Sequence, residues 1–183
     1  MNAVPTWVSL LRAVNLGARN KLNMPALRES LAAAGFADVR TYVQSGNVIT
    51  RSTHRSPVKV AAGVRGAIAT DFGMDVPVIV RSPSQLTAAV THNPYRDADE
   101  HPTRVQVVFL DGDPDADAVQ ALRATDFGPD GCEVIGREVY LSFATTSQGS
   151  RLNAAVGRLG VDGTARNWRT VLALVEMSTQ RPR

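Results

Sequence analysis

The chain has 183 residues, 44% apolar and 20% charged, a balance that suits one globular unit or two small halves sharing a core and argues against disorder. No apolar run approaches the ~20 residues a bilayer span requires, and no basic segment leads into an apolar core at the N-terminus, so a cytoplasmic protein is expected. The single cysteine, Cys132, excludes an internal disulfide framework and fits a reducing compartment.

The formal net charge of +3 is mild but unevenly spread. Residues 1–56 hold seven Arg/Lys against two Asp/Glu, residues 111–150 two against eight, and residues 151–183 six against two. Basic ends around an acidic middle favour an anionic ligand if the basic segments meet in space.

Thr6 to Leu11 is apolar on both faces and reads as a central strand. A long loop, Arg12 to Asn23, follows with Gly17 near its middle. Asn23 is the expected N-cap of a helix whose Leu27, Leu31 and Ala34 share one face, and Gly35 is placed to end it. Val39–Val43 and Asn47–Arg51 read as strands joined through Gln44-Ser45-Gly46, with Gly46 supplying positive φ. Ser56-Pro57 begins a helix with Val60, Val64, Ile68 and Phe72 at intervals of four; Gly73 closes it, and Val76–Val80 is a fourth strand. The order β-α-β-β-α-β is that of the ferredoxin-like plait.

Ser82 and Gln85 form a capping-box pattern before a helix that runs through Val90. The polar run Arg96–Pro102 is a candidate boundary by composition, although the element order divides the chain at 1–81 and 82–183. Arg104–Leu110 is a strand, Asp113-Pro114 caps a helix, and Gly136-Arg137 is a two-residue type II′ hairpin loop. A helix near Arg151–Leu159 follows. Gly160–Gly163 is too short and polar for a last strand, so a helix from Thr164 to about Met177 is expected in its place. The fold class is therefore α+β: two ferredoxin-like (βαββαβ-type) halves, the second incomplete and ending in helices.

Three segments are more polar than their folds require. The first loop offers Arg12, Asn15, Arg19, Asn20 and Lys21 around Gly17, a set of forked or point cations and adaptable amides that suits an oxyanion. Gln44, Ser45 and Asn47 flank Gly46 on the hairpin. Thr164 reads as an N-cap, with Arg166 and Asn167 in a first helical turn whose free N–H groups attract anions. Neither a Walker A loop nor a Rossmann fingerprint is present. His54, His92 and His101 are scattered without metal spacing, Cys132 sits among acids, and no GxSxG elbow occurs, so no metal site is expected and no catalytic residue is assigned. The RNP1 aromatics of RNA-binding plaits are missing too.

LLRAVNLGARNKLNMPALRESLAAAGFADVRTYVQSGNVIT, with the terminal TARNWRTVLAL, resembles the bacterial domain-of-unknown-function 1697 family over nearly the whole chain. The resemblance implies two ferredoxin-like halves in one α+β protein and no established activity. Its motif positions fall on Arg12, Asn15, Gly17, Asn20, Lys21, Gln44, Ser45, Gly46, Asn47, Thr164, Arg166, Asn167, Trp168 and Thr170. Ala13 and Ala18 stand where the pattern usually has glycine, and Arg169 where it usually has asparagine. The expectation is a polar pocket between the halves that binds a small phosphate-containing anion, with no cofactor assigned. The alternatives are nucleic-acid binding on a basic surface and a purely structural polar set; no membrane partner is expected.

Overall fold

The computed structural model describes residues 4–17 and 21–180. Two compact units emerge, Met1–Thr87 with Leu174–Arg183, and Ala88–Ala173. The first carries β1 (Thr6–Leu11), α1 (Met24–Ala33), β2 (Ala37–Tyr42), β3 (Asn47–Arg51), α2 (Pro57–Phe72) and β4 (Val78–Arg81), after which α3 (Pro83–Thr91) begins. The second carries β5 (Val105–Leu110), α4 (Ala116–Ala124), β6 (Gly131–Ile135), β7 (Glu138–Ser142), α5 (Arg151–Val156) and β8 (Gly163–Asn167), after which α6 (Trp168–Thr179) begins. No helix among the described residues is long and apolar enough to cross a membrane.

The sheets are antiparallel, with orders β2-β3-β1-β4 and β6-β7-β5-β8. Both are compatible with a ferredoxin-like plait, in which the first strand lies between the third and the fourth. In the first unit, Trp7 and Leu11 on one face of β1 join Val48, Val78 and Val80 against Leu27, Leu31, Val60, Val64 and Ile68 of the two helices. Val8, Leu10, Ile49 and Ile79 on the other face are buried as well. This explains why β1 carries apolar residues on both faces and does not alternate. In the second unit, Val108, Leu110, Val139 and Leu141 of the sheet pack with Leu122, Leu152 and Val156 of α4 and α5.

Local signals mark the helix ends well. Asn23 Oδ1 accepts from the Ala26 amide at 2.9 Å, and Gly73 takes the left-handed conformation that stops α2. The capping box is reciprocal: Gln85 Oε1 accepts from Ser82 N at 2.8 Å, and Ser82 Oγ from Gln85 N at 3.2 Å. The cap of α4 lies two residues past the expected Asp113, at Asp115, which accepts from Ala118 N.

The second half requires a correction. It has its last strand: Gly163–Asn167 forms β8, paired with β5 from Leu110↔Gly163 to Gln106↔Asn167. Thr164 and Arg166 are the buried positions of this strand, so its alternation is carried by polar side chains and is invisible to a hydrophobic pattern. Gly163 is required here, because a Cβ would come within 2.8 Å of Val108 Cγ1. Thr164 is therefore not the helix cap. Asn167 is, accepting from Thr170 N at 2.9 Å, and α6 starts at Trp168. On α6, Trp168, Val171 and Leu174 are buried, whereas Leu172 is 37% exposed.

The two units share one plan down to individual bonds. Leu11 N donates to Gly46 O and Leu110 N to Arg137 O, each from the last residue of the first strand to the hairpin. The next residue donates to the one before the fourth strand, Arg12 N to Pro77 O and Asp111 N to Asp162 O.

Candidate functional site

At this end of the first sheet the two units diverge. In the second, a short connection joins β5 to α4 and two residues, Gly136 and Arg137, join β6 to β7. In the first, the β1–α1 connection runs from Arg12 to Asn23 and the hairpin loop from Val43 to Gly46. Both segments contain left-handed residues: Ala13 (φ 56°), Asn15 (φ 55°) and Gly17 (φ 62°) in the loop, Val43 (φ 50°) and Gly46 (φ 77°) in the hairpin. Glycine takes this conformation freely and asparagine tolerates it, but alanine is strained there and a β-branched valine more so.

Asn15 fastens the two segments together. Its Nδ2 donates to Gln44 O at 2.7 Å and to Leu22 O at 3.0 Å, and its Oδ1 accepts from Leu22 N at 2.7 Å. Gly46 allows the close approach, since a Cβ would sit 2.5 Å from Val14 Cγ2 and 2.7 Å from Leu11 Cβ. Asn47, fully buried, donates through Nδ2 to Tyr42 O and Ser45 Oγ at 3.0 Å each, which closes the hairpin from inside.

What remains open is a cavity of about 430 Å³ lined by Asn15, Gly17, Lys21, Leu22, Asn23 and Gln44. Lys21 is exposed on its wall and has no acidic partner among the described residues. Leu16 and Val43, neighbours in sequence of the bonded Asn15–Gln44 pair, are 67% and 50% exposed. The structure thus brings Asn15, Gly17 and Lys21 together with Gln44. Arg12 is half-buried, its amide bound to Pro77 O, and Ser45, Gly46 and Asn47 form the hairpin beneath. Arg19 and Asn20 lie outside the described residues.

Thr164, Arg166 and Asn167 belong to the other unit. Arg166 is buried on β8, donating through NH1 to Thr164 Oγ1 at 2.7 Å and to Ala165 O at 2.8 Å. Burial lowers its pKa to about 10, which leaves the guanidinium charged near neutral pH. The charge division also follows the units. The first holds twelve Arg/Lys against five Asp/Glu, a formal +7, and the second eight against twelve, a formal −4. Arg151, Arg158, Arg166 and Arg169 therefore sit in the acidic unit.

Sequence reasoning missed Leu22 and Asn23 as cavity wall. It also missed a smaller cavity of about 200 Å³ in the second unit, lined by Asn93, Tyr95, Arg96, Asp99, Trp168 and Leu172 among others. There Trp168 Nε1 donates to Asp99 Oδ1 at 2.8 Å and the indole is buried. Burial, then the charge of Glu133, pushes the Cys132 thiol up to about 11, so it is a poor nucleophile at neutral pH. Among the described residues no group of three or more His, Cys, Asp or Glu could hold a metal ion.

The model of the family described as "Protein of unknown function (DUF1697)" matches residues 4–140. A solved structure described as that of conserved bacterial protein SP0830 from Streptococcus pneumoniae superposes with a TM-score of 0.76 at 20% identity, covering 97% of this chain and 100% of that one. At that identity the likeness is one of fold. No curated protein matches the chain.

Proposed function

This chain belongs to the DUF1697 family, whose function is unknown, and from that premise we propose that its first unit binds a small phosphate-containing anion in the cavity between the β1–α1 loop and the β2–β3 hairpin. One observation carries the reading. The second unit builds the same sheet order and the same strand-end bonds with a shorter connection and a two-residue turn. The added residues of the first unit, strained at Ala13 and Val43, are therefore more than the fold needs. Strain of this kind persists where the surroundings over-determine it, often at binding sites. Lys21 supplies the charge, and Gly17, Asn23 and the Gln44 side chain supply orienting donors and acceptors.

The other polar residues have framework roles in this reading. Asn15 and Asn47 use their amides on the loop and the hairpin, and the Arg166 guanidinium donates to Thr164 Oγ1 and Ala165 O. A second reading, nucleic-acid binding, is favoured by the +7 of the first unit, although no aromatic side chain among the described residues lines the cavity.

Thermal shift and calorimetry with inorganic phosphate, pyrophosphate, sugar phosphates and a short oligonucleotide test the choice. Saturable stabilisation by the small phosphates, lost in Lys21→Ala, is the expected result. No shift at millimolar phosphate compounds overturns the proposal. Binding of the oligonucleotide alone, abolished by salt, transfers the function to the second reading.

A further inference from the structure

The second unit offers a site independent of the first. We propose that the cavity beside Trp168 binds a free amino acid with a short aliphatic side chain, its carboxylate on Arg96, its ammonium on Asp99 and its side chain against Leu172. The residues lining this cavity of about 200 Å³ all fall within Ala88–Ala173. Arg96 and Asp99 both line it and both are exposed. They are opposite in sign and three positions apart, and Asp97 and Glu100 adjoin them in sequence. Among the described residues, however, Arg96 makes no ion pair with any of these acids. Unlike charges that line one cavity without neutralising each other complement a ligand that carries both charges itself.

Asp99 is held ready for such a ligand. The buried Trp168 donates from Nε1 to Asp99 Oδ1 at 2.8 Å, which orients the carboxylate. A carboxylate has about four acceptor positions, so the indole leaves most of them to an ammonium group. The wall behind is fixed as well. Asn93, itself buried, accepts through Oδ1 from Tyr95 N at 3.1 Å, and Ala98 N donates to Tyr95 O at 3.3 Å. Tyr95 packs on the backbone of β6, where a Cβ on Gly131 would come within 2.6 Å of its hydroxyl oxygen. Prior ordering of this kind lowers the cost of binding.

Size and apolar surface narrow the ligand further. Leu172 lies one turn beyond Trp168 on α6, lines the cavity and is one of four exposed large hydrophobics among the described residues. An aliphatic side chain resting on it would remove that surface from water. The volume is roughly seven times the ~30 Å³ share of a liquid water and below the ~300 Å³ at which drug-sized pockets begin. Those limits suit a small amino acid and exclude a nucleotide.

Calorimetry on the full chain with valine, with isobutylamine, which lacks the carboxylate, and with isovalerate, which lacks the amine, tests the proposal. Valine should bind saturably, and each analogue about tenfold more weakly or worse through loss of a charge-assisted hydrogen bond. Glycine should bind more weakly than valine, and Leu172→Ser should abolish that preference. Arg96→Gln should bring valine down to the level of isobutylamine and leave isobutylamine itself unchanged. Asp99→Asn, which keeps an acceptor for Trp168 Nε1, should weaken valine and isobutylamine and leave isovalerate unchanged. Circular dichroism checks that the variants fold, and the wild-type series decides the matter without them. No binding of valine at millimolar concentration overturns the proposal, as does equal binding of valine and either analogue. Loss of isobutylamine and valine to the same degree in Arg96→Gln overturns the assignment of the carboxylate. None of these outcomes touches the phosphate site, which is read with phosphate compounds and Lys21→Ala.

Discussion

Replacing Asn15 by alanine tests the link between the two segments of the site. Three bonds are lost: Nδ2 to Gln44 O, Nδ2 to Leu22 O, and Leu22 N to Oδ1. At about 1 kcal/mol net for each they sum to roughly 3 kcal/mol, and an orphaned amide adds to this if water cannot reach it. Leu22 is buried, so its N–H is the group at risk. Alanine at a φ of 55° costs about another 1 kcal/mol. The loop can open locally, which caps the cost to global stability at the free energy of that opening. The expected loss is about 3 kcal/mol, or roughly 6–12 °C in Tm for a chain of this size. Exchange of the Leu22 amide, followed by NMR, should accelerate about a hundredfold. Asn15→Asp keeps the acceptor for Leu22 N and loses the two donors, so it should fall between wild type and alanine. If Asn15→Ala melts within a degree of wild type and the Leu22 amide stays as protected, the bonds described here do not hold the loop, and the proposed cavity wall has no support.

Gly46→Ala should be among the most damaging single changes in the first unit, costing about 3 kcal/mol or more, since it adds left-handed strain and a clash with Leu11 and Val14. Gly17→Ala meets no neighbour within 4 Å and should cost only about 1 kcal/mol, so urea denaturation of the pair separates close approach from backbone freedom. Thr50→Val removes a fully buried hydroxyl that has no hydrogen-bond partner among the described residues and keeps the β-branched shape; it should be neutral or stabilising by about 1 kcal/mol in the same assay. Alkylation of Cys132 should be slow at pH 8 and rise steeply toward pH 11, because burial and Glu133 raise its pKa from 9.0 to about 11. The linked stability has the matching sign: it is fully present below pH 9 and is lost as pH rises through 11, so Cys132→Ala should soften the alkaline limb of a stability–pH profile.

The legible parts of the fold were those with local causes. Asn23, Gly35, Gly73 and the Ser82–Gln85 box each act within a turn of their own residue, and each stands where the chain announces it. β1 and β5 were legible because each is a short run rich in β-branched and aromatic residues, types that favour a strand. β8 was not, for a physical reason. Its strand character comes from pairing with β5, more than fifty residues away, and its inward side chains are a threonine and an arginine. A free-standing GTARN contains neither fact. Reading it as a helix start followed from Asn167, a genuine cap, being placed inside the expected helix and not at its edge.

The site divides along the same line. Its residue types were visible as a polar excess, but an excess does not say which amides face a ligand and which hold the chain. Asn15 and Asn47 look alike in sequence to Asn23, yet the first two bind backbone across a turn while the third caps a helix at the cavity wall. Arg166 presents the sharper case. A cation expected at a helix start to greet an anion is instead buried in a strand beside Thr164, and burial has drawn its pKa down. The distinction comes from the internal repeat. Bonds present at both sheet ends, Leu11 to Gly46 and Leu110 to Arg137, are required by the plait. Among the residues that only the first unit adds at that end, those that make no framework bond, such as Lys21, are not required by it, and so they are where mutation should change binding before it changes the fold.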